Sequence, residues 1–343
     1  MFYIRADANA SVSSGHIMRC IAVAECLEQK GHKVTFLVAD AGSEELLVNS
    51  RKEYIILNSA WNNLDLEVDA MRTILQEDSK PVLLIDSYYV TRNYVDQLQP
   101  YAFIFYLGSK REYLGDISGV INYSCDIDYG FYAKYDSSVT RLLLGPQYAP
   151  LRREFSNIPE HFSKEGCRIL LTTGNSDPGN YVPRILDAVL SLECSKDYVI
   201  DVVVGLFYSN VEGLTTKYDD VSNVVFHYNI ADMSKLMKKS DLAISANGTT
   251  VYELAASYVP VISFSLVEEQ LKSARSMQKM GIVDYAGEIY ADTDECVKKI
   301  KEKVLFYCMN PDARRELSRK ANRIVDGNGC LRIAELLESP VIK

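Results

Sequence analysis

Several common signatures are absent from this sequence, and each absence excludes a class of protein. The 343 residues hold 37 lysines and arginines against 46 aspartates and glutamates, a formal net charge of -9. A nucleic-acid binder needs a basic face for phosphate contacts, so this acidic balance argues against one. The chain also lacks an uncharged apolar run of the roughly 18 residues that a transmembrane helix requires. We expect no secretory leader and no membrane partner, and therefore a cytoplasmic protein.

Cofactor signatures are scarce as well. The eight cysteines never form a C-x-x-C pair, which favours reduced thiols over a structural zinc site. The loop after the first predicted strand contains neither G-x-G-x-x-G nor Gly-Lys-Ser/Thr, the signatures of dinucleotide and Walker A loops. Asp-x-Asp pairs at 126–128 and 292–294 resemble metal ligands, but such pairs also arise by chance among 46 acidic residues. We expect neither a cofactor nor a metal.

The chain does contain a regular alternation of short apolar runs with amphipathic stretches of helical length. This alternation is typical of parallel sheets covered by crossover helices. Strands are predicted at 2–7, 33–39, 54–58, 82–86, 103–107 and 141–145 in the first half, and at 168–174, 200–206, 224–228, 242–246 and 260–265 in the second. Single cores stop growing near about 250–300 residues. We therefore predict two α/β domains of similar size.

The domain boundary is predicted in the segment 145–166, which holds three prolines and two glycines and shows no sustained period. We place the hinge near 148–165. The first domain then covers 1–150 and the second covers 160–343. The last helix of the chain can cross back to the first domain.

One histidine follows the first predicted strand. In a parallel α/β sheet, ligands bind beyond the carboxyl ends of the strands, where helix N-termini attract phosphate. A loop of small residues ends there in Ser14 and Gly15, and His16 lies in the first turn of the next helix, off its apolar stripe and pointing outward. A helix N-terminus disfavours an imidazolium, so a neutral His16 can accept a proton. His16 is either a catalytic base or a polar residue at a helix end.

Two loops in the second half combine glycine with small hydrogen-bonding residues ahead of a helix. They comprise Gly174, Asn175 and Ser176 after one strand, and Asn247, Gly248, Thr249 and Thr250 after another. Such loops suit a diphosphate, although the same residues also mark ordinary turns. Glu253, one helical turn further on, can accept both hydroxyls of a ribose.

Five stretches match the motifs of one known family. They are the R-x-D start with its Ser-Gly-His loop and Arg19, LLIDSYYV (83–90), GPQYAPLRREF (145–155), the stretch 229–255, and EEQ (268–270). On these stretches the chain resembles, over most of its length, the UDP-sugar hydrolases of pseudaminic acid biosynthesis. That family releases 2,4-diacetamido-2,4,6-trideoxy-L-altrose from its UDP conjugate.

The resemblance implies the glycosyltransferase B fold, with two facing Rossmann-like domains and an interdomain cleft. It implies that His16 is the general base, that the backbone of Ile230 meets the uracil, and that Glu253 meets the ribose. The other substrate-binding residues expected from the loops and the resemblance are Arg5, Asp7, Ser14, Gly15, Arg19, Asp86, Tyr88, Gly174, Asn175, Ser176, Asp177, Ser245, Asn247, Gly248, Thr249, Thr250 and Gln270.

Two stretches depart from the family pattern. Family members usually carry Gly-Gly-Ser/Thr-Asp where this chain has Asn175 after the first glycine. Where they often carry an Asp-Asp pair after the fifth strand, this chain has Gly108 and Ser109. Both departures bear on which sugar is bound and on the reaction itself.

The expected reaction is hydrolysis of the anomeric C–O bond of a UDP-sugar to free sugar and UDP, in a monomer or weak dimer. His16 takes a proton from the attacking water, and the two loops hold the pyrophosphate. Asp7 or Asp86 orients His16 or the sugar, and Arg19 faces the anion. Two alternatives stay open. One is a glycosyltransferase of the same fold, in which His16 deprotonates an acceptor hydroxyl, and the other is a UDP-sugar-binding protein without activity.

Overall fold

The chain forms two compact units. The computed structural model describes residues 1–9, 12, 14–161, 163, 167–228, 230 and 232–339. The first unit comprises Met1–Arg153 and the residues from Asn328 onward, and the second comprises Glu154–Gly327. Each unit is built on one parallel sheet with helices, so the predicted α/β fold class is confirmed. Of the predicted hinge, Phe162, Lys164 and Glu165 lie outside the described residues.

The first unit contains a seven-stranded sheet. Its strands are β1 (Phe2–Ala6), β2 (Val34–Val38), β3 (Glu53–Ile56), β4 (Val82–Asp86), β5 (Phe103–Leu107), β6 (Gly119–Asn122) and β7 (Arg141–Leu144). Every neighbouring pair is parallel, in the order β3-β2-β1-β4-β5-β6-β7. The apolar runs of β1, β2 and β4 are buried along their whole length. Strand β6 was not predicted, because GVIN is too short and mixed to form an apolar run.

Helices cover both faces of this sheet. They are α1 (Gly15–Gln29), α2 (Glu44–Asn49), α3 (Val68–Leu75), α4 (Arg92–Leu98) and α5 (Tyr129–Tyr132). Alternate residues of β4 face opposite sides. Val82 and Leu84 join an apolar cluster with α1, whereas Leu83 and Ile85 join a cluster with α3 and α4. Burial on both faces explains why the inner strands β1, β2 and β4 read as continuous apolar runs.

The second unit contains a six-stranded sheet. Its strands are β8 (Cys167–Thr172), β9 (Tyr198–Val204), β10 (Val224–Tyr228), β11 (Leu242–Ala246), β12 (Val261–Ser265) and β13 (Asp284–Glu288). They are all parallel, in the order β10-β9-β8-β11-β12-β13. Strand β13 was not predicted, because this edge strand reads DYAGE and is only half-buried at four of its five positions.

The helices of the second unit complete its two layers. They are α6 (Tyr181–Leu190), α7 (Val211–Lys217), α8 (Met233–Met237), α9 (Thr250–Ala256), α10 (Leu271–Met280), α11 (Thr293–Met309) and α12 (Pro311–Ile324). Among all the helices that the structure describes, none combines the length and the apolar character that crossing a bilayer requires.

The final helix, α13 (Gly329–Glu338), belongs to the first unit. Its residues Cys330, Ile333 and Leu337 are buried in the same apolar cluster as α1. The Arg332 side chain donates to the carbonyl of Gln147 at 2.8 Å. The helix is therefore part of the N-terminal core, although it is the last element in the sequence.

Each sheet reverses its strand order at one position. The chain runs outward from β1 through β2 to β3 and then returns to place β4 on the other side of β1. In the second unit the same reversal lies between β8 and β11. Register places Ala6 beside Asp86, and Thr172 beside Ser245. Loops diverge at such a position and leave space for a ligand, so these two strand ends are where a site is expected.

Candidate active site

His16 and Asp86 meet at the strand reversal of the first unit. His16 is the second residue of α1, and Asp86 is the last residue of β4. The Nδ1 atom of His16 lies 2.6 Å from Oδ1 of Asp86, and both side chains are buried. An imidazole that donates its Nδ1 hydrogen to the carboxylate keeps a lone pair on Nε2. The ring can therefore accept a proton through Nε2.

The burial of His16 corrects one expectation. The sequence pattern predicted a ring that points outward, whereas the ring is 6% exposed. The carboxylate of Asp86 offers the ring a polar partner inside the sheet edge, which makes this burial favourable.

Arg19 holds the other side of the Asp86 carboxylate. Its Nε donates to Oδ2 of Asp86 at 2.5 Å, and a second guanidinium nitrogen contacts Oδ1. Burial alone would raise the pKa of Asp86, but Arg19 and the hydrogen bond from His16 outweigh burial and lower it. Asp86 is therefore ionised at neutral pH and keeps the Nδ1 hydrogen on His16.

Arg19 was expected to face an anion, and the structure places it differently. Its guanidinium is engaged by Asp86, and its Nη1 donates to the hydroxyl of Tyr123 at 3.0 Å. One nitrogen also lies 2.9 Å from Nδ1 of His16. Because Nδ1 cannot donate to Asp86 and accept from Arg19 at once, we interpret this approach as an electrostatic contact. Arg19 acts here as a positioning residue for Asp86.

A depression opens over the His16 ring, and we call it the His16 pocket. It is lined by Asp7, Val12, His16, Trp61, Asp86, Ser87, Tyr88 and Tyr89. The edge of Tyr88 meets His16 with ring centroids 4.7 Å apart and planes at 85°. Tyr88 was a predicted binding residue. Ser87 and Tyr89 lie in the matching stretch 83–90 but had no predicted role, and nothing in the sequence pointed to Trp61. The pocket combines a proton acceptor with aromatic walls.

Arg5 and Asp7 belong to a buried ion-pair network beside this pocket. Arg5 is fully buried, donates to both carboxylate oxygens of Glu67 at 2.6 and 3.0 Å, and contacts Asp7 at 2.5 Å. The second oxygen of Asp7 accepts from the backbone N–H of Ala39 at 2.7 Å. Burial raises the pKa of Asp7 in spite of Arg5. Asp7 lines the pocket, and Arg5 is positioned to hold Asp7 in place.

Two loops follow neighbouring strands at the reversal of the second unit. Gly174 follows β8 with a φ of +85°, a backbone conformation that favours glycine. An added Cβ at either Gly174 or Gly248 would meet nothing within 4 Å, so both backbones border open space. Asn175 and Thr249 are exposed, and Ser176 is half-buried. The loops can therefore offer backbone and side-chain donors to a ligand.

Asn247 has an unsatisfied group in this region. Its side chain is 3% exposed, and its Oδ1 has no hydrogen-bond partner. Its backbone N–H donates to the carbonyl of Phe264 at 2.8 Å, which fixes the residue at the end of β11. A buried acceptor without a partner is costly, and a donor from a bound ligand would satisfy it.

Asp177 has a structural role at the start of α6. It is buried, and its two oxygens accept from the backbone N–H groups of Tyr181 and Val182 at 2.9 and 2.8 Å. Tyr208 donates to it at 3.2 Å. The first turn of α6 thus has its donors occupied by a carboxylate. In this loop the N–H of Gly174 donates to Oγ1 of Thr172 at 3.1 Å, which leaves Asn175 and Ser176 as the donors that can meet a ligand.

The remaining predicted residues are distributed around these two strand ends. Ser14 and Gly15 are exposed at the start of α1; Ile230 is half-buried after β10; Thr250 and Glu253 are half-buried on α9; Ser245 is buried in β11; and Gln270 is half-buried with its Oε1 accepting from the N–H of Leu266 at 2.8 Å. Of the residues in this paragraph, Ser14 and Gly15 lie in the first unit, and the other five lie in the second.

The other histidines and the Asp-x-Asp pairs have structural partners. His32 contacts Glu338 at 2.7 Å, and His227 contacts Asp201 at 2.7 Å. His161 contacts the carbonyl of Ser240. Asp128 is the N-cap of α5, and Asp292 is the N-cap of α11. Across the described residues, no group of three or more His, Cys, Asp and Glu side chains could hold a metal ion.

Curated relatives share part of this sequence. No family model matches the chain. The spore coat polysaccharide biosynthesis protein SpsG of Bacillus subtilis (strain 168) is 28% identical over 227 residues, 64% of this chain and 66% of SpsG. The uncharacterized protein MJ1062 of Methanocaldococcus jannaschii is 25% identical over 273 residues, 75% of this chain and 54% of MJ1062. The chain thus spans just under two thirds of the length of one relative and just over half of the other.

Solved structures extend the similarity to nearly the whole chain. MurG of Acinetobacter baumannii is similar with a TM-score of 0.70 at 17% identity, over 98% of this chain and 99% of MurG. The chain has the glycosyltransferase B fold. The calicheamicin glycosyltransferase CalG4 is similar with a TM-score of 0.63 at 12% identity, over 98% of this chain and 97% of CalG4. LpCGTa in complex with UDP has the same score and identity, over 98% of this chain and 99% of LpCGTa. Identities this low establish the fold alone.

Proposed function

We propose that the chain hydrolyses a UDP-linked 2,4-diacetamido-2,4,6-trideoxyhexose to free sugar and UDP, with His16 as the general base. The observation that carries the proposal is the contact of 2.6 Å between His16 Nδ1 and Asp86 Oδ1. A carboxylate that fixes the tautomer and orientation of an imidazole is a recurring arrangement for proton abstraction. The sugar class follows from the family resemblance of the five matching stretches.

The reaction needs one proton transfer. The oxygen of a water attacks the anomeric carbon while the bond from that carbon to the diphosphate oxygen breaks. The water's proton moves to Nε2 of His16, and UDP leaves as a diphosphate anion. Positioned proton transfer contributes roughly 10²–10⁴ in rate. Asp86 stabilises the imidazolium that forms, and Arg19 keeps Asp86 ionised.

The second unit supplies the proposed nucleotide site. Gly174 and Gly248 let a diphosphate approach the backbone closely. The unpartnered oxygen of Asn247 can accept from a ligand N–H or O–H. Glu253 lies in the first turn of α9, where we propose that it binds the ribose. The proposal requires that both units act on one substrate molecule.

The comparisons support a nucleotide-sugar substrate in three ways. One relative is named for polysaccharide biosynthesis. One solved structure of the same fold is bound to UDP, and others are glycosyltransferases. These neighbours also favour a second candidate, a glycosyltransferase in which an acceptor hydroxyl takes the place of water. The proton transfer to His16 is the same in both reactions.

The test is to incubate the chain with a panel of UDP-linked diacetamido-trideoxyhexoses without an acceptor and to follow UDP and free sugar by NMR. We expect equal amounts of both products. His16→Asn should lower turnover at least about a hundredfold while UDP affinity stays within a few-fold. His32→Asn is the matched control, because His32 pairs with Glu338 outside the pocket, and it should keep wild-type turnover.

Other outcomes would contradict parts of this proposal. If His16→Asn retains more than about a tenth of turnover, it lacks the effect expected of a general base, and His16 is not that base. If UDP release needs an added acceptor and the sugar is found on that acceptor, the chain is a glycosyltransferase. Binding by calorimetry with no product after long incubation would show a UDP-sugar-binding protein without activity.

A further inference from the structure

We propose that Trp61 is a specificity-determining residue, which selects sugars carrying methyl and acetamido groups over fully hydroxylated sugars. This inference rests on the proposed function. The His16 pocket encloses only about 10 Å³, so we expect the sugar to lie against its exposed aromatic residues Tyr88 and Tyr89. Trp61 lies between β3 and α3, in a segment without regular strand or long helix. Its side chain nevertheless reaches the same pocket as the proposed base.

Two aromatic contacts line the pocket, one at the proposed base and one at Trp61. Tyr88 and His16 make a T-shaped contact, with ring centroids 4.7 Å apart. Tyr89 follows directly in the chain and meets Trp61 at 5.4 Å, with planes at 81°. Both contacts have the edge-to-face geometry that aromatic pairs prefer. Each ring is therefore held in a defined orientation among the residues that line the pocket, and we call Trp61, Tyr88 and Tyr89 its aromatic wall.

The tyrosines of the aromatic wall are unusually open to solvent for large aromatic residues. Tyr88 is 58% exposed and Tyr89 is 41% exposed, and Trp61 is half-buried. Aromatic side chains carry a large apolar area whose removal from water is favourable. A wall of this kind gains most from a ligand that presents carbon and methyl groups. A 6-deoxy sugar with two N-acetyl groups presents three methyls.

Both carboxylates of the pocket are already engaged by arginines. Asp7 is engaged by Arg5, and Asp86 is engaged by Arg19. The Ser87 hydroxyl accepts from the backbone N–H two residues further on, at 3.1 Å. The aromatic wall is therefore the feature that we expect to set the preference for deoxygenated sugars.

The size of the expected preference follows from known hydrophobic pockets. One methylene group changes the specificity of such a pocket by about 10–200-fold. We therefore expect kcat/KM for a UDP-linked diacetamido-trideoxyhexose to exceed that for UDP-N-acetylglucosamine by at least about tenfold.

The chain offers a direct probe of binding, because Trp61 is its one tryptophan. Tryptophan-selective fluorescence therefore reports this wall alone. In the His16→Asn variant, titration with the UDP-linked diacetamido-trideoxyhexose should change the emission. UDP alone, which lacks the sugar, should not. An equal change with UDP, or no change with a UDP-sugar that binds by calorimetry, would overturn the inference.

The specificity is tested with paired variants. Trp61→Ala should reduce the preference over UDP-N-acetylglucosamine about tenfold, mainly through KM of the deoxygenated substrate, and Trp61→Phe should retain most of it. Phe306→Ala, an exposed aromatic on α11, is the control and should leave the preference unchanged. If Trp61→Ala keeps the wild-type preference, the inference fails and the proposed hydrolysis stands. If the wild type releases no UDP from any substrate, the proposed function fails, and the fluorescence titration still decides the role of Trp61.

Discussion

The Oδ1 atom of Asp86 accepts the Nδ1 hydrogen of His16 at 2.6 Å, although the two residues are 70 positions apart in the sequence. The contact exists because β4 lies beside β1, so the end of β4 meets the helix that follows β1. Arg19, one turn along that helix, fixes the carboxylate from the other side. Three side chains from two elements thus determine the ring's tautomer.

Asp86→Asn should lower turnover without lowering UDP affinity, and so distinguish the positioning of His16 from substrate binding. An amide keeps the size of the carboxylate but removes the charge that stabilises the imidazolium. We expect turnover to fall by roughly 10²–10⁴ with UDP affinity within a few-fold, as measured by UDP release and calorimetry. A variant with near wild-type turnover and an intact circular dichroism spectrum would show that Asp86 has no role in catalysis.

Asp86 also links stability to pH. Its pKa is lowered in the folded protein by Arg19 and by His16, against the effect of burial. Such a carboxylate stabilises the fold above its unfolded pKa, near 3.9, and this contribution is lost as the pH falls through the folded pKa. The excess unfolding free energy of the wild type over Asp86→Asn should therefore shrink below about pH 4.

Urea unfolding at a series of pH values measures this excess. Repeating it in a His16→Asn background removes the imidazole from the comparison, while Arg19 still lowers the pKa of Asp86. An excess that grows on acidification has the opposite sign and would contradict the assignment.

Arg5→Met tests whether Arg5 acts through the fold. The substitution leaves Glu67 and Asp7 without their buried cation, and breaking a buried pair costs about 3–5 kcal/mol. We expect the free energy of unfolding to fall by that amount in chemical denaturation. Arg111→Met, at a half-exposed pair with Asp128, should change it by less than about 0.5 kcal/mol. Similar stability losses for both variants would disprove the buried network's role.

Gly248→Ala tests the approach of a ligand to the second unit. The new methyl meets no protein atom within 4 Å, so stability should change by less than about 0.5 kcal/mol. In the proposed site the methyl would occupy space that the diphosphate needs, so KM for the UDP-sugar should rise about tenfold, or 1.4 kcal/mol. Gly130→Ala in α5, whose Cβ makes an ordinary contact at 3.4 Å, is the control. An unchanged KM for Gly248→Ala would argue against phosphate binding at this loop.

The sequence was sufficient for the strands with continuous apolar runs, because burial on both faces requires such runs. It was insufficient for β6 and β13, where glycine and polar residues interrupt the pattern. It also placed His16, Asn247 and Gly174 at strand ends, since a strand followed by small residues and a helix forms a recognisable local sequence pattern.

Pairings across the sheet could not be obtained in this way. The sequence left open whether Asp7 or Asp86 orients His16, and the choice depends on which strands are neighbours. Trp61 and Glu67 were missed because they lie in an irregular segment whose side chains are placed by tertiary contacts. Arg5 shows the related difficulty that one guanidinium can serve the fold as well as a ligand.

The return of α13 to the first unit means that the polypeptide passes between the two units twice, after Arg153 and before Asn328. The second unit is thus an insertion within the first. A single cut at the predicted hinge cannot yield two complete halves, because the N-terminal fragment would lack Cys330, Ile333 and Leu337 from its core. To express the two units separately, residues 328–339 must be joined to the N-terminal fragment. The second unit can be expressed as the single stretch 154–327.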